Sequence, residues 1–596
     1  MVNRKYIGVV AGGYDEEINT DVFRVAVSSS AEMRHNRDLA RWTLISVHTE
    51  VWDEERKGTK FEMQTLGMVE DVTIVPAHTY KDSREMAHSD YYTKPDFQKV
   101  FSSTAEDALA LKVRSLGHLT RDRRDLYGPV RPPERESQTY IAEPEEVRIA
   151  LLKPMNLQAG SFTLGGYATL DGLYNPFTRL ELPSHQAYLH GMFFAASGWG
   201  KTMAMKHFIR EFHNLNPSPA IVVFNIKGSE FYKLDDPLPD SEIRKIKDRS
   251  PEAARLWELL NLKPQGFDPQ RISYYPMSVD VRGIGRIYSF SFAEIEPNEE
   301  GASFLRFIME PFNLYEASMN YLTEYMFFCK RHATNRATSE VSHPLASLRL
   351  MNRQGQPIRT RNYQDRLSDF IATFREAQRI SNGEVRISCS RCDDSIRIPE
   401  SPADAINRAL GELQRLNVFD VGNSIDVSRD LMTSGHISVI DVAGLQSGLA
   451  QQIFVQHLLH RIFSQANRIF LEGREEKPVI IFLDEAWRFF RSPRVLDELE
   501  IISRMGRSLR MGLWLADQNI PTGEREWNVL NNIRTRILGS ITADRNILRR
   551  VMPLEEIMFS VLPNLRRGMA IVFNQEFSRI PTPTIIPPCT CYHEGD

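Results

Sequence analysis

The segment AASGWGKT, Ala195 to Thr202, directly follows the short apolar run AYLHGMFFAAS and directly precedes the helical MAMKHFIREF. A strand that empties into a glycine-rich turn and then a helix can fold in few ways. Consecutive backbone N–H groups turn inward at the helix N-terminus, where they gather phosphate oxygens. Gly198 and Gly200 permit that turn, so Ser197, Gly198, Trp199, Gly200, Lys201 and Thr202 are the expected nucleotide-binding residues. Lys201 is placed to reach the β and γ phosphates of ATP, and the Thr202 hydroxyl to bind Mg2+. Ala195 stands where the pattern has its first glycine, a change tolerated if the backbone keeps a negative φ.

A second apolar strand, PVIIFLDEAW (Pro478 to Trp487), ends in Asp484 and Glu485. Open α/β sheets bind ligands outside the carboxyl ends of their strands. Asp484 is therefore the expected Mg2+ ligand and Glu485 the residue that polarises the attacking water. A third, MGLWLADQN, ends in Gln518, whose amide suits contact with a γ phosphate. Arg504, Arg507 and Arg510 precede it. A guanidinium stabilises charge on a transferring phosphoryl group and in ring ATPases often arrives from the next subunit, although a solvated helix face is an equal alternative for any one of them.

The remainder of the 596 residues divides by pattern. Val22 to Ser28, Trp42 to Val51 and Thr65 to Val75 are β-branched and aromatic, which predicts a small β-barrel or sandwich. Arg121 to Glu136 is rich in arginine and proline and suits a linker. The expected fold is α/β, with an N-terminal barrel and linker over 1–130, a first ATPase segment over 131–292, a helical insertion over 293–430, a second ATPase segment over 431–575 and a tail over 576–596. In the insertion, Leu367, Phe370, Ile371 and Phe374 keep helical spacing, and Ser401, Pro402 and Asp404 predict a helix start. Arg353, Arg359 and Arg361 lie in a basic loop that reads as solvated surface.

With 42% hydrophobic and 25% charged residues, the composition excludes a disordered, collagenous or coiled-coil chain. Only 5 cysteines point to a reducing compartment, the cytoplasm. No apolar stretch reaches membrane-span length, and a net charge of −4 argues against a uniformly basic surface. Cys389 and Cys392, with Cys589, Cys591 and His593 at a tail expected to be mobile, make a weak zinc pattern. Free thiols are the expectation.

The barrel-like start, AASGWGKT, LDEAW, the run from Gly506 to Gln518 and the closing LPNLRRGMAIVF resemble the HerA family of hexameric DNA-translocating ATPases, relatives of FtsK. The resemblance implies a RecA-like P-loop core, an N-terminal barrel of the HAS type, a homo-hexamer and double-stranded DNA as partner. It makes Arg507 the first candidate for a finger acting across subunits and Arg504 the second. It also implies work with a NurA-like nuclease or a sirtuin-type effector, in DNA end processing or anti-phage defence in a prokaryote. The alternatives are an ATP-dependent scaffold ring for such an effector and, disfavoured by the lack of a membrane segment, a conjugative secretion ATPase. Two departures stand out. FNIKGSEF has Asn225 where the family commonly has an acid, with Glu230 displaced by Ser229; and Trp487 replaces a common histidine, read as a packing difference.

Overall fold

The computed structural model describes residues 5–593 except 12–19, 28–38, 54–58, 77–106, 229, 278–284, 293–294, 296–298, 333–365, 377–378, 382, 389–394, 446 and 476. The chain forms two compact units. One comprises Met1–Ser218, Lys233–Phe267 and Gly512–Asp596, the other Pro219–Tyr232 and Asp268–Met511.

The first unit begins with β1 (Tyr6–Ala11), β2 (Val22–Val27), β3 (Leu44–Asp53), β4 (Thr59–Pro76), β5 (Asp107–Leu119), β6 (Leu126–Tyr127) and β7 (Gln138–Ile141). They pair in the order β2-β1-β7-β3-β4-β5, and β5 pairs back onto β2, which closes a six-stranded barrel with β6 appended to β5. Closure leaves no edge strand to template aggregation. Its inward face comes from alternation: Ile7 and Val9, Phe23 and Val25, and Leu111 and Val113 are all buried two residues apart. The arginine- and proline-rich stretch 121–136 joins strands of this same barrel, because β7 lies beyond it and pairs with both β1 and β3.

The barrel is tied to the rest of its unit by a buried tyrosine. Tyr174 Oη lies 2.8 Å from the Leu44 carbonyl and 2.9 Å from that of Ala142, its one proton shared between them. Burial drives its phenol well above the usual range, so it stays a donor.

The same unit holds a mixed sheet ordered Arg179–Pro183, Ser161–Thr169, Thr582–Ile585, Met569–Asn574, Thr535–Leu538, Gly191–Phe194 and Met511–Asp517. Gly191–Phe194 is parallel to both of its neighbours. On this sheet the helix Lys201–His213 is held by an aromatic block. Trp514 lies 5.1 Å from Phe208, 4.8 Å from Phe212 and 5.7 Å from Phe193, ring centre to ring centre. Burying each such ring contributes about 1.5–3 kcal/mol, enough to fix where the helix begins.

The second unit contains four parallel strands in the order Val479–Leu483, Ala220–Asn225, Ile437–Asp441 and Ile272–Pro276. Every residue of the first three is buried, which explains their unbroken apolar runs. Helices Glu299–Met309, Glu316–His332, Leu367–Glu376 and Glu400–Arg415 follow the expected insertion, with a small sheet of Arg379–Ser381, Glu384–Ser388 and Ser395–Pro399 added to them. Leu367, Phe370, Ile371 and Phe374 are buried, as their spacing requires. The expected cap at Ser401 is corrected: the helix starts at Glu400, its N-cap is Pro399, and no side chain caps it. Cys389 and Cys392 and the arginines at 353, 359 and 361 lie outside the described residues. Among the described residues no helix is long and apolar enough to cross a membrane.

Candidate active site

The phosphate loop belongs wholly to the first unit. Phe194 ends a fully buried strand. The N–H of Ala195 donates to Asp517 O at 3.2 Å and that of Ala196 to Ser540 O at 2.7 Å, so the loop leaves the sheet in a fixed direction. Gly198 and Gly200 have φ of 75° and 109°. These are left-handed backbone conformations that side chains rarely adopt. A Cβ on either would meet nothing within 4 Å, so the backbone conformation, not packing, calls for glycine at both positions.

Gly200 is also the N-cap of the helix, with no side-chain cap. The N–H groups of a helix's first turn are not used by intrahelical bonds and point toward where a ligand's oxygens would lie. Lys201 is buried and its ammonium donates to Ala195 O at 2.8 Å and Ala196 O at 3.4 Å, within the curl of the loop. Thr202 is buried beside it, and Ser197 is exposed. Trp199 is an anchor: its indole donates to Met569 O at 2.9 Å, and its ring lies so close to Gly539 that a Cβ there would stand 2.5 Å away. Gln518 follows the strand paired with Gly191–Phe194; it is half-buried, and its N–H donates to Asp517 Oδ1 at 2.6 Å.

A small cavity of about 60 Å³ opens beside this loop. Trp199, Met203 and Ala204 form one wall; Ile246, Ala253 and Pro588 are among the others, and His593 stands at it. Burial, then the positive charges of Lys206 and Arg567, push the His593 imidazole down to about 3, so it is neutral near pH 7. The tail that carries it is not loose. Lys206 Nζ donates to Tyr592 O at 2.7 Å, Trp257 Nε1 to Pro588 O at 2.8 Å, and the N–H groups of Leu238 and Gln265 to Thr590 O at 3.0 and 2.8 Å. The expectation of a mobile terminus is corrected for these residues: hydrogen bonds from distant segments fix it. Cys589 and Cys591 are buried free thiols, and no group of three metal-ligating side chains occurs among the described residues.

The acidic pair belongs to the second unit, at the end of Val479–Leu483. Asp484 and Glu485 are each 2% exposed, and Glu485 has a left-handed φ of 52°. Sequence reasoning missed what surrounds them. Lys227 forms an ion pair with Glu485 and lies 3.9 Å from Glu230. Trp487 Nε1 donates to Glu485 Oε2 at 2.7 Å, so its replacement of histidine is a hydrogen-bonding feature and the packing reading is corrected. Burial, then the hydrogen bond and charge of Glu230, hold Asp484 well above the usual carboxylate range, with Lys227 opposing. Burial would lower Lys227, but its hydrogen bond to Glu485 and the nearby acids outweigh that and raise it. The only sequence signal was a lysine and a glutamate three residues apart beyond a buried strand.

Asn225, where an acid was expected, is buried and structural: its amide donates to Gly228 O at 2.9 Å and Asp441 Oδ1 at 3.2 Å. Arg504 is bound to Glu500 at 2.5 Å one turn away on its own helix. Arg507 is exposed on the single turn Gly506–Leu509.

The donor set fits a nucleotide with Mg2+. In the first unit, glycine-cradled amides and a buried lysine suit phosphate oxygens and the Thr202 hydroxyl is a hard oxygen donor; in the second, the Asp484 carboxyl is another donor of that kind. No protein-family model matches the sequence, and no curated protein is significantly similar. Among solved structures, VirB4 of Thermoanaerobacter pseudethanolicus is similar at 13% identity and TM-score 0.44, covering 73% of this chain and 98% of that one. The plasmid coupling protein TrwB bound to the ATP analogue ADPNP is similar at 12% and 0.39, covering 70% and 89%. TrwB with ADP and Mg2+ is similar at 12% and 0.37, covering 69% and 90%. A likeness at this level assigns no activity, and membership of the HerA family is not shown.

Proposed function

We propose that the chain hydrolyses ATP with Mg2+ and works as a ring motor on double-stranded DNA. The observation that carries the ATPase reading is the loop of Ser197–Thr202: two left-handed glycines lead into a helix start with no side-chain cap, beside a buried lysine. The loop takes the phosphates. Mg2+, when bound, would neutralise charge on the phosphates; Thr202 and Asp484 are the residues proposed to hold it. Glu485 orients and deprotonates the attacking water, Lys201 steadies the transferred charge, and Gln518 reads the γ phosphate.

The ring and the DNA rest on the resemblance to HerA. Arg507 suits a role across subunits, being exposed on a tight turn next to a helix that also exposes Ile501 and Met505 at 39% and 47%. A large apolar residue left in solvent there is consistent with a surface covered on assembly.

Lys201→Ala should weaken ATP binding, and Glu485→Gln should keep it while lowering turnover by roughly 100-fold or more. Wild-type turnover in Glu485→Gln would refute the assignment of the base. Mixing Lys201→Ala with Arg507→Ala subunits should restore activity that neither has alone. A motor should also show ATPase stimulated by duplexes of unrelated sequence, falling steeply with salt; stimulation by an effector protein alone, with no response to DNA, would favour the scaffold.

A further inference from the structure

We propose that Lys227 and Trp487 are positioning residues that hold the Glu485 carboxylate turned away from water, so that loosening this grip sets the resting rate of hydrolysis. The inference rests on the reading of Glu485 as the base. Both of its carboxylate oxygens are engaged: Lys227 Nζ pairs with Oε1, and Trp487 Nε1 donates to Oε2 at 2.7 Å. Its backbone is constrained too, with a left-handed φ of 52° and an N–H donating to Asp484 Oδ1 at 2.8 Å. Only 2% of the residue is exposed. A general base must present a lone pair to the water it deprotonates. Here the oxygens are directed at a cation and an indole.

The surroundings assign the moving part. Glu485 is buried and fixed at both backbone and side chain, whereas the Lys227 side chain is 32% exposed. Glu230 lies 3.9 Å from the Lys227 ammonium and offers a second acceptor. Lys227 can therefore leave Glu485 and keep an acceptor for its own ammonium, while the cost of leaving the buried carboxylate without its cation is what favours the resting pair. Trp487 is the stationary jaw, with the Arg491 guanidinium stacked 4.7 Å from its ring centre. One contact thus does two jobs. It neutralises a buried carboxylate in the resting protein, and it keeps that carboxylate from acting.

The test uses the full-length chain labelled with 5-fluorotryptophan, with Trp487→Phe identifying the Trp487 resonance. In the absence of nucleotide, Lys227→Met should shift that resonance, because the carboxylate accepting from the indole loses its other partner. Steady-state ATPase should then show kcat raised about tenfold to a hundredfold, the range of a charge-assisted hydrogen bond, with KM changed less than about twofold. Lys227→Arg, which keeps a cation, should bring kcat back down toward the wild-type value. Trp487→Phe removes the other donor and should also raise kcat, so it decides the matter if Lys227→Met does not fold. A kcat at or below wild type in both variants, with Glu485→Gln inactive, overturns the grip and leaves the base standing. Wild-type turnover in Glu485→Gln overturns both.

Discussion

The phosphate loop and the acidic cluster are built by opposite means. Around Gly198 and Gly200 the structure is made of backbone: left-handed glycines and the amides of a helix start with no side-chain cap. Around Asp484 and Glu485 it is made of side chains, with Lys227, Glu230 and Trp487 brought to two buried acids. Amides can be aimed by a few consecutive residues, because a helix start and two glycines are local properties. Buried carboxylates cannot exist without partners, and the partners must come from wherever the fold supplies them. The first region should therefore be sensitive to backbone and volume, the second to charge.

The sharpest challenge to that contrast is Gly200→Val. A β-branched residue at a φ of 109° is strained, and relieving that strain would move the loop's amides. ATP affinity, measured by calorimetry, should fall by about ten- to a hundredfold. An unchanged affinity would mean that the loop does not act through its backbone.

A smaller effect is expected from Gly539→Ala. Its Cβ would stand 2.5 Å from the Trp199 ring and 2.7 Å from Ala195 Cβ, both well-packed parts of the loop's support. Denaturant unfolding should show a loss of about 2 kcal/mol; no loss would mean that Trp199 is freer to move than its hydrogen bond to Met569 implies. Trp199→Phe keeps a ring but loses that bond, and should cost about 1 kcal/mol by the same measurement.

The smallest effect concerns charge burial away from both regions. His457 is buried against the rings of Phe290 and Phe304, with ring centres 4.1 and 4.3 Å away, and burial holds its imidazole well below the usual range. The charges of Arg461 and His460 act in the same direction. A histidine held neutral in the fold binds fewer protons there than in the unfolded chain, whose imidazole titrates at about 6.5. Its stabilising contribution is complete above that value and is lost as pH falls below it. The unfolding midpoint should therefore drop between pH 7.5 and pH 5.5, and His457→Leu should flatten that drop by about 1 kcal/mol. An equal drop in the variant would assign the acid sensitivity to other groups, of which buried His207 is one.

Local patterns were readable where local physics decides. The β-branched and aromatic residues of Val22–Val27, the apolar runs of Ala220–Asn225 and Val479–Leu483, and the spacing of Leu367, Phe370, Ile371 and Phe374 each led to the element that forms. Boundaries were harder. Arginine and proline made 121–136 look like a linker, yet the chain returns in Gln138–Ile141 to pair with β1 and β3, a pairing that only sheet closure requires. The tail from Pro588 to His593 looked loose because its bonds are made to Lys206, Trp257 and Leu238, far away in the sequence.

By itself the sequence determined the loop and the two acids. Glycine, lysine and threonine at fixed spacing after an apolar strand constrain a backbone within one turn, and an apolar run ending in two carboxylates places them at a strand end. The tertiary structure alone decided which charges meet. Lys227 and Glu485 are separated by most of the second unit in sequence and joined by adjacent parallel strands, Ala220–Asn225 beside Val479–Leu483. The physical reason is that a salt bridge depends on distance in space, and strand order in a parallel sheet is set by which buried faces pack together, a property no single stretch of residues contains.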